Sequence, residues 1–360
     1  MSGHVVAEIL LSMVSLGLLG WVLYLRRRPA PLPPPASPSL PPSPAPDPVY
    51  IDRPVIEERI VVQERVVYAD PVEPDLAIGP MEYLAEPQAL PDVPDAVHDS
   101  ILDGARLGGL VVRGAAVRGD LARREARLRR QAISIALLNQ FNPPVLLSTI
   151  ATGLAGAERS QVGAAQVCRS AQIKVADRAR ELDAAWRNGA GEEIGALLRE
   201  VAAALADALT LAARHRNQPE SALATEVTCV LSRLGDMPAR QHLAFGVGAA
   251  PVLRLSPEKG FEELFRPAPA PSGRSLLPQT PTAVSWQAFE SQAGEVIVAC
   301  TASTAEFLRR EQVRDRIVPL WSQEEPPGFA AFLAQLGMTH PAYREDRAAV
   351  GLWDGRSRKQ

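Results

Sequence analysis

Cysteine and histidine are scarce in this chain, and those present lie far apart. Three cysteines (Cys168, Cys229 and Cys300) in 360 residues form no CxxC pair and no disulfide framework, which fits a reducing compartment. The five histidines (His4, His98, His215, His242 and His340) form neither HxH nor HExxH, so no histidine metal site is indicated. GxxxxGK[ST], GxGxxG and GxSxG are absent, which removes support for nucleotide-binding and serine-hydrolase readings. Charge of one sign is also lacking. The net charge of −3 and pI of about 6.0 give no electrostatic case for a nucleic-acid partner.

The two ends of the chain differ in character. Ile9 to Leu25 is an uninterrupted, charge-free and mostly apolar run, and back to Val5 it is broken only by Glu8. At 1.5 Å per residue such a run spans roughly 26–32 Å, about the thickness of a hydrocarbon core. Trp21 and Tyr24 fall where an interfacial aromatic belt belongs, and Arg26-Arg27-Arg28 follows. No lysine or arginine precedes the run, and no small-residue cleavage site follows it, so an anchor is favoured over a cleaved signal peptide. The expectation is a transmembrane anchor at 1–28, with membrane contact through residues 5–25. The positive-inside rule then places the chain in the cell membrane as a single-pass protein, N-terminus outside and C-terminal domain cytoplasmic.

Residues 29–48 hold 11 prolines and can form neither a helix nor a central strand. They read as an extended polyproline linker, with PxxP spacings that would also suit an SH3-type ligand. The juxtamembrane segment 49–102 opens with VYIDRPVIEERIVVQERVVYAD, in which β-branched pairs alternate with charged residues. Helix and strand both remain open for it. From 71 onward proline and acid predict irregular structure.

A folded domain is expected over 103–354, followed by a basic tail at 355–360. Residues 107–120 read as a strand entering a glycine bend. Ala132–Leu138 and Val145–Ile150 read as two strands joined by an Asn142-Pro143-Pro144 turn. Two alanine- and leucine-rich stretches, 157–187 and 192–215, read as helices. Strands are expected at Ala224–Leu231, Leu243–Val247, Val252–Leu255, Val284–Phe289, Glu295–Ala299 and Ala348–Trp353. Shorter helices are expected at Ala305–Arg314 and Gly328–Leu336. Strands and helices that are grouped rather than strictly alternating indicate the α+β class.

Four stretches carry a pattern: RRQAIS around Ala132, IATGLAGA at 150–157, CTASTAEFL at 300–308 and REDRAAVGLW at 344–353. In this order and spacing they resemble the RQDA, VADGVGSA, CTDGVTEFL and DDRTAVVVW motifs of the 2C-type metal-dependent protein phosphatases. FGVGAAPVLRL at 245–255 similarly resembles that family's VGDSRAYLLR, with Ala249 where aspartate is usual. The opening LDGARLGGLVVRGAAVRGD resembles membrane-anchored, actinobacterial-type members. The resemblance implies two stacked antiparallel sheets flanked by helices. It also implies that Ala132, Thr152 and Ala302 stand at positions where aspartates hold Mn²⁺ or Mg²⁺. With Gly153, Glu345 and Asp346 these are vestigial motif positions, and only Glu345–Asp346 keep acid. An arginine near the first motif holds substrate phosphate in the family, which makes Arg127 and Arg130 phosphate-binding candidates.

A two-metal hydrolase needs oxygen ligands to fix its ions and activate water, and alanine offers none. The resemblance therefore implies a degenerate member: a membrane-tethered pseudophosphatase without metal cofactor, binding a phosphoprotein or another kinase-pathway partner. Two rival readings stand beside it. One is an active, divergent Ser/Thr phosphatase that uses Mn or Mg through Asp120, Glu306 and Asp346. The other is a non-catalytic scaffold that recruits partners through the proline-rich tract.

Overall fold

The computed structural model describes residues 88–90, 95–107, 109–235, 237–270 and 273–355. The expected anchor, the proline-rich linker, most of the juxtamembrane segment and nearly all of the basic tail lie outside the described residues. Among the described residues no helix is long and apolar enough to cross a membrane.

Eleven strands form two antiparallel sheets. The first contains β1 (Ser100–Leu107), β2 (Leu110–Val117), β7 (Val252–Ser256), β8 (Gly260–Phe265), β10 (Val296–Cys300) and β11 (Arg347–Asp354), in the order β1-β2-β11-β10-β7-β8. The second contains β3 (Gln131–Leu138), β4 (Val145–Gly153), β5 (Thr225–Arg233), β6 (Arg240–Val247) and β9 (Ser285–Ser291), in the order β3-β4-β5-β6-β9. Seven helices accompany them among the described residues: α1 (Asp120–Arg124), α2 (Ser160–Ala176), α3 (Ala179–Arg187), α4 (Gly191–His215), α5 (Ala302–Arg309), α6 (Glu311–Trp321) and α7 (Phe329–Leu336). The α+β class and the two-sheet architecture expected from the sequence are what the structure shows.

Alternation along each strand divides the residues among three apolar layers. Val112 and Val350 of the first sheet meet Ile150 and Val230 of the second in the layer between the sheets. The other face of the second sheet, with Leu147, Val227 and Phe245, is covered by α2, α3 and α4. The other face of the first, with Val111, Val298 and Trp353, is covered by α5, α6 and α7. Because both faces are buried, central strands such as VLLSTIATG read as continuous apolar runs, as sandwich-core strands do.

Several boundaries differ from the sequence reading. The first strand begins at Ser100, ahead of the expected domain start, and pairs as a hairpin with β2. The expected helix 157–187 is two helices: α2 closes on a tight bond from the Arg178 amide to the Val175 carbonyl, and α3 starts anew. Likewise the expected helix at 305–314 is split at Arg310, whose backbone is extended (φ −65°, ψ 134°). β8 has no counterpart in the sequence reading; it returns from β7 through a turn in which Gly260 takes φ +68°.

Gly163 shows how closely α2 is seated. A Cβ placed there would collide with the backbone carbonyl of Leu223, in the one-turn 3₁₀ segment Glu220–Leu223. Backbone cannot yield as a side-chain end can. Gly163→Ala is expected to destabilise the domain by about 1–3 kcal/mol, as overpacking does, read as a lower urea midpoint at unchanged m.

Candidate functional site

The four motif regions converge at one end of the sandwich. The Gly153 amide donates to the Arg130 carbonyl at 2.9 Å, closing the β3–β4 end. Asp346, just ahead of β11, is 1% exposed. Its carboxylate accepts from the Gly119 amide (2.8 Å) through Oδ1 and from the Arg130 amide (2.9 Å) through Oδ2. The start of α5 docks on the same segment. Ser303 Oγ donates to the Asp346 carbonyl (3.3 Å), and the Ala348 amide donates to Thr304 Oγ1 (3.1 Å). Thr301 caps α5 with its hydroxyl, which accepts from the Thr304 amide.

Beside this junction lies a cleft of about 430 Å³. Arg127 and Arg130 both line it, together with Glu345, Asp346 and the loop from Gly156 to Gln161 that leads into α2. Arg130 reaches Glu345 at 3.4 Å, while Arg127 pairs with Glu125 at 2.7 Å on the rim. Arg129, which the sequence groups with its neighbours in a basic run, does not join them. It is 2% exposed, donates to the His98 carbonyl, and burial lowers its pKa while Asp346 opposes that shift.

Ala132 requires a correction. Its side chain lies in the core against α2, α3 and α4, on the far side of β3 from the junction. Strand period sets this: Ala132 pairs with Ala151, whereas Gln131 pairs with Thr152, and Thr152 pairs with Glu226. Gln131, Thr152 and Glu226 therefore form one row on the face toward the other sheet. The Gln131 Oε1 and Thr152 Oγ1 atoms are buried without a hydrogen-bond partner. Only the hairpin register between β3 and β4 places Gln131 beside Thr152; Glu226 left no signal in any motif.

Glu226 is 3% exposed and fully engaged. Arg274, from the segment between β8 and β9, donates its Nε to Oε1 at 2.6 Å, and the Ala249 amide donates to Oε2 at 3.3 Å. The side chain lies across Gly248, where a Cβ would come within 2.5 Å of it; Gly248 itself has φ +129°. At Ala249, where the family usually has aspartate, the backbone thus takes its carboxylate from Glu226.

These residues do not fit a two-metal centre. Ala302 offers a methyl group, Gln131 and Thr152 offer only neutral oxygens, both Asp346 oxygens accept amides, Glu226 is held by Arg274, and Glu345 faces a guanidinium. Among the described residues no group of three or more His, Cys, Asp or Glu side chains could hold an ion, and Asp120, Glu306 and Asp346 form none.

No family model and no curated protein sequence matches the chain. It is similar in structure to PppA of Pseudomonas aeruginosa, described as a key regulatory component of T6SS (14% identity, 70% of this chain and 99% of that one, TM-score 0.47). It is also similar to a serine/threonine phosphatase of S. agalactiae (13%, 68% and 99%, TM-score 0.47) and to Stp1, a serine/threonine phosphatase of Staphylococcus aureus (10%, 72% and 99%, TM-score 0.47).

Removing the Asp346 carboxylate would leave two amides of the junction without their acceptor. Asp346→Ala is expected to lower stability by about 2–5 kcal/mol, since each buried unsatisfied donor costs about 1–3 kcal/mol. Asp346→Asn, which keeps one acceptor oxygen, should lose less. Thermal melts in chelator and in millimolar Mn²⁺ should give the same ranking.

Proposed function

We propose that the chain is a degenerate member of the 2C-type protein phosphatase family, and that its cleft binds a phosphorylated or regulatory partner without hydrolysing it. One observation carries this reading. At the point where all four motif regions meet, the only buried carboxylate they supply, Asp346, accepts two backbone amides and serves as a structural clasp. The fold supports the family assignment through its layers and through the convergence of motifs separated by as much as about 200 residues. The absence of a carboxylate at Ala302 and Thr152, and the neutral amide of Gln131 beside Thr152, support loss of the metal-activated water. Removing that water takes away both nucleophile and charge stabilisation. Neither Mn nor Mg is then needed.

The test is hydrolysis of an aryl phosphate by the purified full-length chain with Mn²⁺. Turnover is expected to stay at the buffer rate. Turnover that depends on the metal and disappears in Asp346→Ala would reinstate the enzymatic reading.

The Ile9–Leu25 run and the arginines after it support a membrane tether, with the domain on the cytoplasmic side. Ser2→Cys is expected to react with an impermeant thiol reagent in intact cells, and Glu193→Cys, at an exposed position of α4, only after lysis. The native thiols are unsuitable as reporters because all three are buried; burial raises the pKa of both Cys229 and Cys300 to about 12. Labelling of Glu193→Cys in intact cells would reverse the assigned orientation.

A further inference from the structure

We infer that Arg274 is the resident cation of this end of the sandwich. Its guanidinium supplies, from within the chain, the positive charge that a divalent ion would bring, and it thereby keeps such an ion out. This rests on the non-catalytic reading proposed above and traces the misfit to a metal centre to one side chain that no motif marks.

Three observations carry it. First, an acid is present and buried. Glu226 stands in one row with Thr152 and Gln131, and its carboxylate is paired with Arg274, whose Nε lies 2.6 Å from Oε1. A buried carboxylate must have a cation, donors or a proton. Second, the row carries acceptors that nothing satisfies. Gln131 is 5% exposed, and its Oε1, like the Thr152 Oγ1, is buried without a hydrogen-bond partner. Directly paired neighbours on adjacent strands stand about 5 Å apart, so three oxygen-bearing side chains lie side by side. Hard oxygens of this kind are what Mn²⁺ or Mg²⁺ takes. Third, Arg274 is delivered on a fixed backbone. Ser275 beside it is buried and accepts from the Ala270 amide at 2.7 Å. Leu277 is buried and exchanges two backbone bonds with Thr225, at 2.9 and 3.0 Å, one residue before Glu226. Thr225 Oγ1 donates in turn to the Thr152 carbonyl at 3.0 Å. The backbone that carries Arg274 is thus set beside Glu226 by bonds that do not involve its guanidinium.

The arginine side chain is 54% exposed while its partner is 4% exposed. Part of the guanidinium stays in water, so it neutralises the acid without the full desolvation cost of a buried pair. A divalent ion approaching Glu226 would meet like charge on the same oxygen and would have to displace a side chain whose backbone is already seated.

The experiment uses the full-length chain purified in detergent. It combines thermal melts with and without millimolar Mn²⁺ and loss of the free-ion paramagnetic resonance signal as the measure of bound Mn²⁺. The wild-type chain should take up no more Mn²⁺ than Glu226→Gln does. Arg274→Gln should melt several degrees lower, because the carboxylate loses its partner, and Mn²⁺ should return most of that loss. Sodium chloride at matched ionic strength should not. Arg274→Lys, which keeps the charge, should stay blind to Mn²⁺. Adding Glu226→Gln to Arg274→Gln removes the unpaired charge, so the double variant should melt above the single one and lose its Mn²⁺ response. If Arg274→Gln fails to fold, the double variant should still fold; failure of both assigns Arg274 to folding and overturns the inference. A folded Arg274→Gln that takes up no extra Mn²⁺, or an Arg274→Lys that responds as Arg274→Gln does, overturns it too and leaves the non-catalytic binding role intact. Specific uptake by the wild-type chain overturns the exclusion, and metal-dependent turnover alongside it overturns both readings.

Discussion

β11 is tied to the opposite sheet at both of its ends, and much of the molecule follows from that. At its start, the Asp346 carboxylate bridges the Gly119 amide of its own sheet and the Arg130 amide leading into β3 of the other. At its end, Asp354 accepts from Arg240 of β6 at 2.9 and 3.3 Å, with both side chains 2% exposed. Apolar packing between sheets is non-directional and leaves their relative offset loosely specified. Directional, charge-assisted bonds at the two ends set the offset. Breaking either would leave a buried charge or buried amides without a partner, which costs more than the bond itself contributes.

The same clasp explains why this end of the sandwich holds together with so little acid. Where several carboxylates converge, their repulsion must be relieved by cations or by protons. Here the two buried carboxylates have separate partners: backbone amides for Asp346, and Arg274 plus one amide for Glu226. Gln131 on β3 and Thr152 on β4, neutral and adjacent in register, continue the row that Glu226 ends on β5. A region of this kind keeps its shape through fixed dipoles and one ion pair.

The cleft beside it differs in kind. Its arginines are partly exposed, and their partners, Glu125 and Glu345, are rim carboxylates in contact with water. Such pairs are weak and exchangeable. Behind this rim of mixed charge the junction stays rigid, so the scaffold need not move when the rim exchanges partners.

Much of this was legible in the sequence because it depends on local chemistry. Hydrophobic runs and turn residues located most of the strands and both long helices, and the resemblance of four eroded motifs to the 2C-type phosphatases implied two stacked sheets and made Arg127 and Arg130 phosphate-binding candidates. The helix breaks at 177–178 and 310 escaped because packing decides them, not propensity. The facing of side chains escaped for a related reason: a two-residue period fixes which residues share a face, but only pairing with β4 decides that Gln131 and not Ala132 stands beside Thr152. Partners distant in the chain were out of reach altogether. Nothing local joins Glu226 to Arg274 or Asp346 to Gly119, because those contacts exist only once both sheets have closed over a common core.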